Sequence, residues 1–204
     1  MYYSEYVKDI NNKTPVVVGG MHPTLFYKKI LENCNSIDYI AVGEGEETLM
    51  SLIQYIKNEI PIESVPSLAY RKVSEIISNP PNKIILNVDS LPIIDYNFID
   101  IKDYFHDEIR TWHNPKNLNF DTTMSILGSR GCPLDCNFCC LYNVMGLKMR
   151  FRSPKLVVDE IEMLYNKHNL THFSFIDDQL VIKKKHIIEI CNEILDNEPE
   201  NRDA

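Results

Sequence analysis

The segment Ser129-Arg-Gly-Cys-Pro-Leu-Asp-Cys-Asn-Phe-Cys-Cys140 decides how the rest of the chain is interpreted. It places thiols at Cys132, Cys136 and Cys139, four and three residues apart, on a stretch rich in turn-forming residues. Thiolates at this spacing on one loop can converge on a soft metal centre, either an iron–sulfur cluster or zinc. The segment therefore predicts a metal-binding loop.

The number of thiols in this loop favours a cluster over zinc. A four-thiolate zinc site usually takes its ligands as two close pairs, and the remaining cysteines, Cys34, Cys140 and Cys191, form no second pair. Three thiolates on a four-iron cubane leave one iron with an open position, which a cluster needs if it is to bind a substrate. A structural or zinc-binding role stays open as the alternative.

The motif Cys132-x3-Cys136-x2-Cys139, with Phe138 before its last cysteine, resembles the signature of the radical S-adenosylmethionine enzymes. The resemblance implies that the three cysteines bind a [4Fe-4S] cluster. It also implies that the open iron chelates S-adenosylmethionine (SAM), and that the reduced cluster cleaves SAM to a 5′-deoxyadenosyl radical. Phe138 would lie near the adenine.

Length and composition limit the other possibilities. A chain of 204 residues, 44% hydrophobic and 25% charged, suits one large or two small soluble domains. A net charge of −8 and no basic run longer than Lys183-Lys184-Lys185 disfavour nucleic acid as a partner. No apolar run approaches the ~20 residues of a membrane span. Six cysteines, half of them in one metal-like cluster, fit a reducing compartment, so we predict a cytoplasmic protein.

The first 66 residues show the pattern of an open α/β sheet. A helix up to Asn12 precedes the β-branched run Val16–Val18, which predicts a buried parallel strand. A helix through Leu31 and a strand at Tyr39–Val42 complete a βαβ unit. A second helix then begins at Glu46 and places Leu49, Leu52, Ile53 and Ile56 on its apolar side.

Two glycine motifs in this region resemble the later half of the cobalamin-binding domain found in one subgroup of the radical SAM enzymes. They are Gly19-Gly20-Met-His22-Pro23-Thr24 and Gly43-Glu44-Gly45-Glu46. The resemblance implies that Gly19 and Gly20 lie beside the nucleotide tail of cobalamin; a plain tight turn is the alternative. The Asp-x-His-x-x-Gly loop of that domain is absent upstream of Val16. We therefore interpret the chain as a fragment that does not hold cobalamin tightly.

From Phe120 the chain predicts two β/α units. The strands are Thr122–Leu127 and Thr171–Ile176, and the helices begin at Ser153-Pro154 and Lys183. The cysteine loop then lies at the carboxyl end of the first strand, where α/β barrels form their active sites. The predicted fold class is α/β, with a partial Rossmann-like cobalamin-binding domain followed by the first β/α units of a partial TIM-type barrel. The predicted boundaries are 1–66, a linker with a short β-hairpin at 67–119, and 120–204.

An acidic pair, Asp177 and Asp178, follows the second strand. The resemblance implies that this pair binds the ammonium group of SAM, and a carboxylate can pair with that cation. An acidic cap on the next helix is the alternative, and the sequence does not rank the two residues. Other side chains receive structural roles: Arg150 and Arg152 in a solvated loop, Glu160 on a solvated helix face, Cys34 and Cys191 buried, and Cys140 directed away from the cluster.

The function predicted for the intact protein is radical SAM chemistry with a [4Fe-4S] cluster, SAM and cobalamin. Its favoured outcome is methyl transfer to an unactivated carbon of a small-molecule substrate, with an external low-potential electron donor. Cyclisation or rearrangement and methylthio transfer are the enzymatic alternatives. A non-catalytic iron–sulfur carrier or a zinc-stabilised module is the alternative from another class. No residue is assigned as an acid–base catalyst.

Overall fold

The computed structural model describes residues 2–73, 75–81, 84–104, 123–170 and 172–197. The chain forms two compact units. The first unit comprises residues 1–85 together with 132–148, and the second comprises residues 86–131 together with 149–204. The sequence-based domain boundaries stay predictions.

The first unit is built on a four-stranded sheet of order β1-β2-β3-β4. Strands β1 and β2 are parallel, whereas β3 pairs antiparallel with β2 and forms a hairpin with β4. The strands are β1 (Val17–Val18), β2 (Tyr39–Ala41), β3 (Leu68–Lys72) and β4 (Glu75–Ser78). The β-branched run and the apolar run that predicted the first two strands therefore form the expected parallel pair.

Helices pack on both faces of this sheet. These are α2 (Met21–Asn33) and α3 (Glu46–Ile56). The unit also contains α1 (Tyr2–Ile10) and a short helix, α4 (Tyr142–Met145), which follows the cysteine loop. Leu31 of α2 packs with Ile40 and Ala69, whereas Leu52 of α3 packs with Leu68 and other residues. Because neighbouring residues of a strand point to opposite faces, Leu68 and Ala69 place the two cores on opposite sides of the sheet. The chain β1-α2-β2 is the βαβ unit that the sequence predicted.

Two predictions about burial in the first unit are wrong. Val17 is 37% exposed, because β1 pairs with β2 alone within the part of the chain described. On α3, Leu52 is buried, whereas the other apolar side chains of the predicted face are exposed; these are Leu49, Ile53 and Ile56. The helix contacts the core along the line from Thr48 to Leu52, which are one turn apart, so residues beside that line reach solvent.

The second unit contains the two predicted β/α units. Its parallel strands are β5 (Thr123–Ile126) and β8 (His172–Phe175), and its helices are α5 (Pro154–His168) and α6 (Lys184–Asp196). A two-stranded antiparallel ladder, β6 (Ser129–Arg130) with β7 (Arg150–Phe151), lies between them along the chain. Its core consists of buried apolar side chains: Tyr96, Ile101, Met124, Ile126, Val157, Leu164, Leu170 and Ile190.

Helix α5 begins and ends with distinct backbone signals. Ser153 occupies the N-cap and Pro154 the first turn, as predicted, but the Ser153 side chain makes no capping bond. Instead Asp89 accepts a hydrogen bond from the Ser153 N–H at 2.8 Å. The helix ends at His168, and the next residue, Asn169, adopts the left-handed conformation with φ of 54° and donates its N–H to Tyr165 O.

Two charged side chains of the second unit that were predicted to be solvated are buried. Glu160 is 4% exposed, because its carboxylate accepts a hydrogen bond from Tyr96 and pairs with Arg152, each at 2.6 Å. Arg150 is 3% exposed within β7. The basic segment is therefore a strand end that packs into the unit, and the prediction of a solvated loop is wrong.

The remaining structural predictions have mixed outcomes. Cys34 is buried as predicted, whereas Cys191 is exposed. The sequence also predicts surface or interdomain positions for His106 and His113, and these residues, with Trp112, lie outside the described residues. No helix in the described ranges combines the length and the apolar character needed to cross a bilayer.

Candidate functional site

The cysteine loop is flanked by two strands that pair with each other. The ladder of β6 and β7 pairs Ser129 with Phe151 and Arg130 with Arg150, so the two ends of the intervening loop lie side by side. Gly131 opens the loop with a positive φ of 89°, a conformation that favours glycine. Residues 132–148 of the loop are part of the first unit.

The three motif thiols are free and half-buried. Cys136 and Cys139 are joined by a turn, in which the Cys139 N–H donates to the Cys136 carbonyl at 2.9 Å. The Leu141 N–H donates to Cys139 Sγ at 3.5 Å. Hydrogen bonds to ligand sulfurs adjust the reduction potential of an iron–sulfur cluster, so this contact bears directly on the predicted chemistry.

The arrangement of these thiols is relevant to the kind of metal centre. Within the described ranges, no group of three or more His, Cys, Asp or Glu side chains is placed to hold one metal ion. A single zinc ion requires sulfur ligands at about 2.3 Å from one point. The three thiolates of a cubane bind different iron atoms and need not converge on one point. Three free thiols on one irregular loop are a donor set that fits such a cluster.

The residues that flank the last cysteine point to different surroundings. Phe138 is 88% exposed, so its ring is accessible to a ligand. Cys140 donates through its thiol to Met21 Sδ at 3.2 Å. Met21 begins α2 directly after Gly19-Gly20. The cysteine loop thus contacts the first glycine motif within the first unit, a contact for which the sequence carries no signal.

The two glycine motifs are joined to each other by a hydrogen bond. Gly43 has a φ of 86° and donates its N–H to Thr24 Oγ1 at 2.9 Å. Gly20 has a φ of 99°, and a Cβ built on it would meet nothing within 4 Å. Both motifs follow parallel strands, and the edge where such strands end is where open α/β sheets bind ligands. The open backbone at Gly20 fits a ligand that approaches this edge.

The members of the acidic pair have different environments. Asp177 is half-buried and accepts hydrogen bonds from the Gly128 N–H, at 3.1 Å to Oδ1 and 2.9 Å to Oδ2. It also accepts a hydrogen bond from the Ser129 hydroxyl at 2.5 Å. Asp178 is exposed. The pair belongs to the second unit, whereas the three cysteines belong to the first.

His186 is a buried titratable residue that sequence reasoning missed. It is 3% exposed and its ring centroid lies 4.8 Å from that of Phe151. Burial lowers the pKa of His186 below its ordinary value; the Gly128 carbonyl opposes this effect, and Lys183 reinforces it. The position of His186 in an ordinary helical pattern gave no indication of this environment.

Comparison with known proteins adds independent evidence. Residues 1–53 match the family model of the B12 binding domain. An anaerobic magnesium-protoporphyrin IX monomethyl ester cyclase of Cereibacter sphaeroides is 34% identical over 182 residues, which cover 88% of this chain and 28% of that protein. An uncharacterised methyltransferase of Pyrococcus horikoshii is 29% identical over 187 residues, covering 92% of this chain and 38% of the relative.

Two solved structures share the fold. The cobalamin-dependent SAM radical enzyme OxsB, with aqua-cobalamin and SAM bound, superposes with a TM-score of 0.71 and 20% identity over 97% of this chain and 26% of its own. TsrM, a radical SAM methyltransferase from Kitasatospora setae, has cobalamin and a [4Fe-4S] cluster bound. It superposes with a TM-score of 0.69 and 20% identity over 98% of this chain and 38% of its own. The chain is thus similar in sequence to a named cyclase and a named methyltransferase, and it shares its fold with two cobalamin-binding radical SAM enzymes.

The fold shared with these two structures confirms the predicted fold class. A partial Rossmann-like domain precedes the first β/α units of a radical SAM barrel. The chain spans 28% and 38% of the length of the two curated relatives described above. The assignments of individual site residues, made from the sequence, stay predictions.

Proposed function

We propose that this chain is part of a radical SAM enzyme in which Cys132, Cys136 and Cys139 hold a [4Fe-4S] cluster. The observation that supports this most directly is the set of three free thiols on one loop, whose ends are paired beyond the carboxyl end of β5. When bound, the cluster and SAM supply a 5′-deoxyadenosyl radical by reductive cleavage of the sulfonium bond.

The side chains of this chain bind and orient SAM in the proposal. Three cysteines leave one iron open for the amino and carboxylate groups of SAM. The acidic pair Asp177–Asp178 supplies a carboxylate for the ammonium group, because a charge-assisted hydrogen bond is stronger than a neutral one. Phe138, exposed in the described structure, stacks on the adenine.

Cobalamin is the second cofactor in the proposal. Gly19 and Gly20 lie beside its nucleotide tail, where the open backbone at Gly20 allows close approach. Support comes from the B12-binding model that matches residues 1–53, and from the cobalamin present in OxsB and TsrM. The contact between Cys140 and Met21 places the cysteine loop beside this motif.

Methyl transfer to an unactivated carbon of a small molecule is the favoured reaction. Support comes from the Pyrococcus horikoshii relative, which is named as a methyltransferase, and from TsrM, a radical SAM methyltransferase. Cyclisation is the second candidate, because a relative at 34% identity is a magnesium-protoporphyrin cyclase. An external low-potential donor in the cytoplasm reduces the cluster, and nucleic acid is not a partner.

The cluster is tested by anaerobic reconstitution of the chain. We expect iron and acid-labile sulfide, a visible spectrum that changes when SAM is added, and 5′-deoxyadenosine after addition of a strong reductant. Each of the substitutions Cys132→Ser, Cys136→Ser and Cys139→Ser should abolish iron uptake. Cys191→Ser, at an exposed cysteine, is the matched control and should leave iron uptake unchanged.

Other results of that experiment support the rival functions. A colourless protein that retains zinc indicates a zinc-stabilised module. A cluster whose spectrum does not respond to SAM indicates an electron carrier. A wild-type chain that takes up neither iron nor sulfide contradicts the proposal.

A further inference from the structure

Asp177 joins the end of one parallel strand to the start of the cysteine loop. It follows β8 closely, and its three hydrogen bonds reach Gly128 and Ser129, which follow β5. Ser129 begins the ladder that closes the base of the loop, and Cys132 comes three residues later. The carboxylate therefore contacts the backbone that leads directly into the first cluster ligand.

The contact is enclosed. Gly128 and Ser129 are both buried, and a Cβ on Gly128 would lie 3.0 Å from Leu180 Cδ1 and 3.6 Å from Asp177 Oδ1. The Gly128 carbonyl is also engaged, since it accepts the Arg152 N–H at 2.9 Å. Gly128 is thus held through both of its backbone polar groups.

The two aspartates differ in the hydrogen bonds that their carboxylates accept from the chain and in their exposure. An ionised carboxylate is an acceptor only, and two donors of the chain already contact Asp177: the Gly128 N–H, shared between both oxygens, and the Ser129 hydroxyl. Asp178 is exposed at the neighbouring position. The acid that is available to an incoming cation is therefore Asp178, while Asp177 is committed to the base of the loop.

We propose that Asp177 is a positioning residue that fixes the base of the cysteine loop through the Gly128 N–H and the Ser129 hydroxyl, and that Asp178 alone of the pair meets the SAM ammonium group. This inference rests on the proposed function, because it assumes that the loop carries the cluster. The inference predicts that replacement of Asp177 impairs binding of the cluster, whereas replacement of Asp178 impairs binding of SAM.

The test compares Asp177→Asn with Asp178→Asn in the anaerobically reconstituted chain. Asparagine has nearly the shape of aspartate, but its amide group would set a donor against the Gly128 N–H or the Ser129 hydroxyl. Asp89→Asn is the matched control, because Asp89 also accepts a backbone N–H in the second unit, at the start of α5. Iron per chain, the electron paramagnetic resonance spectrum of the reduced cluster and the SAM-induced spectral change are measured, together with thermal unfolding of the apo chain.

Asp177→Asn should lower iron per chain at least about threefold and alter the resonance line shape of the remaining cluster, because a half-buried charge-assisted contact is lost. Asp178→Asn should retain iron but weaken the SAM response about tenfold, the order expected when an ion pair with a ligand is removed. Asp89→Asn should change only the unfolding temperature. Ser129→Ala provides a milder variant, and its effect on iron uptake should not add to that of Asp177→Asn.

Three results would overturn the inference. The first is full iron uptake with a lost SAM response in Asp177→Asn. The second is an equal loss of iron in Asp177→Asn and Asp89→Asn, which would indicate general destabilisation. The third is an unchanged SAM response in Asp178→Asn. A wild-type chain without a cluster would instead contradict the proposed function, so the two failures are distinguishable.

Discussion

Glu160 is a carboxylate enclosed in the second unit, where Tyr96 and Arg152 satisfy it. The Arg152 guanidinium also donates to Leu127 O at 2.8 Å, so the charged group is bonded to the end of β5. Burial and the hydrogen bond to Glu160 raise the pKa of Tyr96 well above its ordinary value, so the phenol remains a donor at all working pH values. The contacts of Glu160 with Tyr96 and Arg152 therefore connect Tyr96, which belongs to the predicted linker, to α5 and to the end of β5.

We expect Tyr96→Phe to lower the free energy of unfolding by about 1.5–3 kcal/mol, the usual worth of a hydrogen bond to a charged group. Urea denaturation of the reduced apo chain measures this. Tyr104→Phe is the control, because that side chain is exposed. Equal stability of Tyr96→Phe and wild type would contradict the role assigned to the phenol.

His186 should make stability depend on pH. Burial lowers its pKa, so the folded chain favours the neutral ring, whereas the unfolded chain protonates near the ordinary value of about 6.5. Above that pH both states are neutral, and the residue carries no penalty. As the pH falls below it, the unfolded state binds the proton first, and the free energy of unfolding decreases.

The expected result is a flatter pH dependence in His186→Gln between about pH 7.5 and 5.5, measured by urea denaturation at each pH. Phe151→Leu changes the packing against the His186 imidazole but leaves the imidazole in place. That variant should therefore lose stability while the slope of its unfolding free energy against pH stays the same. An identical slope in His186→Gln and wild type would show that another group titrates.

At the scale of elements, α5 ends through the backbone conformation of Asn169. A left-handed φ of 54° costs least for glycine and little for asparagine, but more for residues with a Cβ and no local hydrogen-bonding group. Asn169→Ala should therefore lower the free energy of unfolding by about 1 kcal/mol, and Asn169→Gly should leave it unchanged or raise it. Thermal unfolding of the two variants checks this. A glycine variant as unstable as the alanine variant would contradict the conformational explanation.

The elements also show what local pattern can and cannot reveal. The β-branched run before Gly19-Gly20 and the apolar run at Tyr39 predicted a parallel pair. The signal for such a strand is a short, uninterrupted apolar run, which can be recognised within the strand's own sequence. The burial of Glu160 could not be predicted in this way, since its partner Tyr96 is 64 residues away in sequence. The contacts of Asp177 with Gly128 depend on the register of β5 with β8, which no local pattern encodes.

Because the two units have separate hydrophobic cores, a destabilising substitution in one core should raise hydrogen exchange mainly in its own unit. Leu31 belongs to a core of the first unit and Leu164 to the core of the second, and both are fully buried. Truncation of such a leucine to alanine typically costs about 2–5 kcal/mol. Leu164→Ala should speed amide hydrogen exchange in β5, α5, β8 and α6, and Leu31→Ala should speed it in β1, α2 and β2. Exchange mass spectrometry checks this, and equal acceleration throughout the chain in either variant would contradict it.

The antiparallel pairing of β6 with β7 has a consequence for how such sequences diverge. Once the two ends of a segment are fastened next to each other, each doubling of the length between them costs only about 0.6 kcal/mol of closure entropy. The cysteine loop can therefore gain or lose residues beyond Cys139 without disturbing β6 and β7, the strands that flank it. Insertions in homologous chains should concentrate there, in the stretch from Gly146 to Lys148.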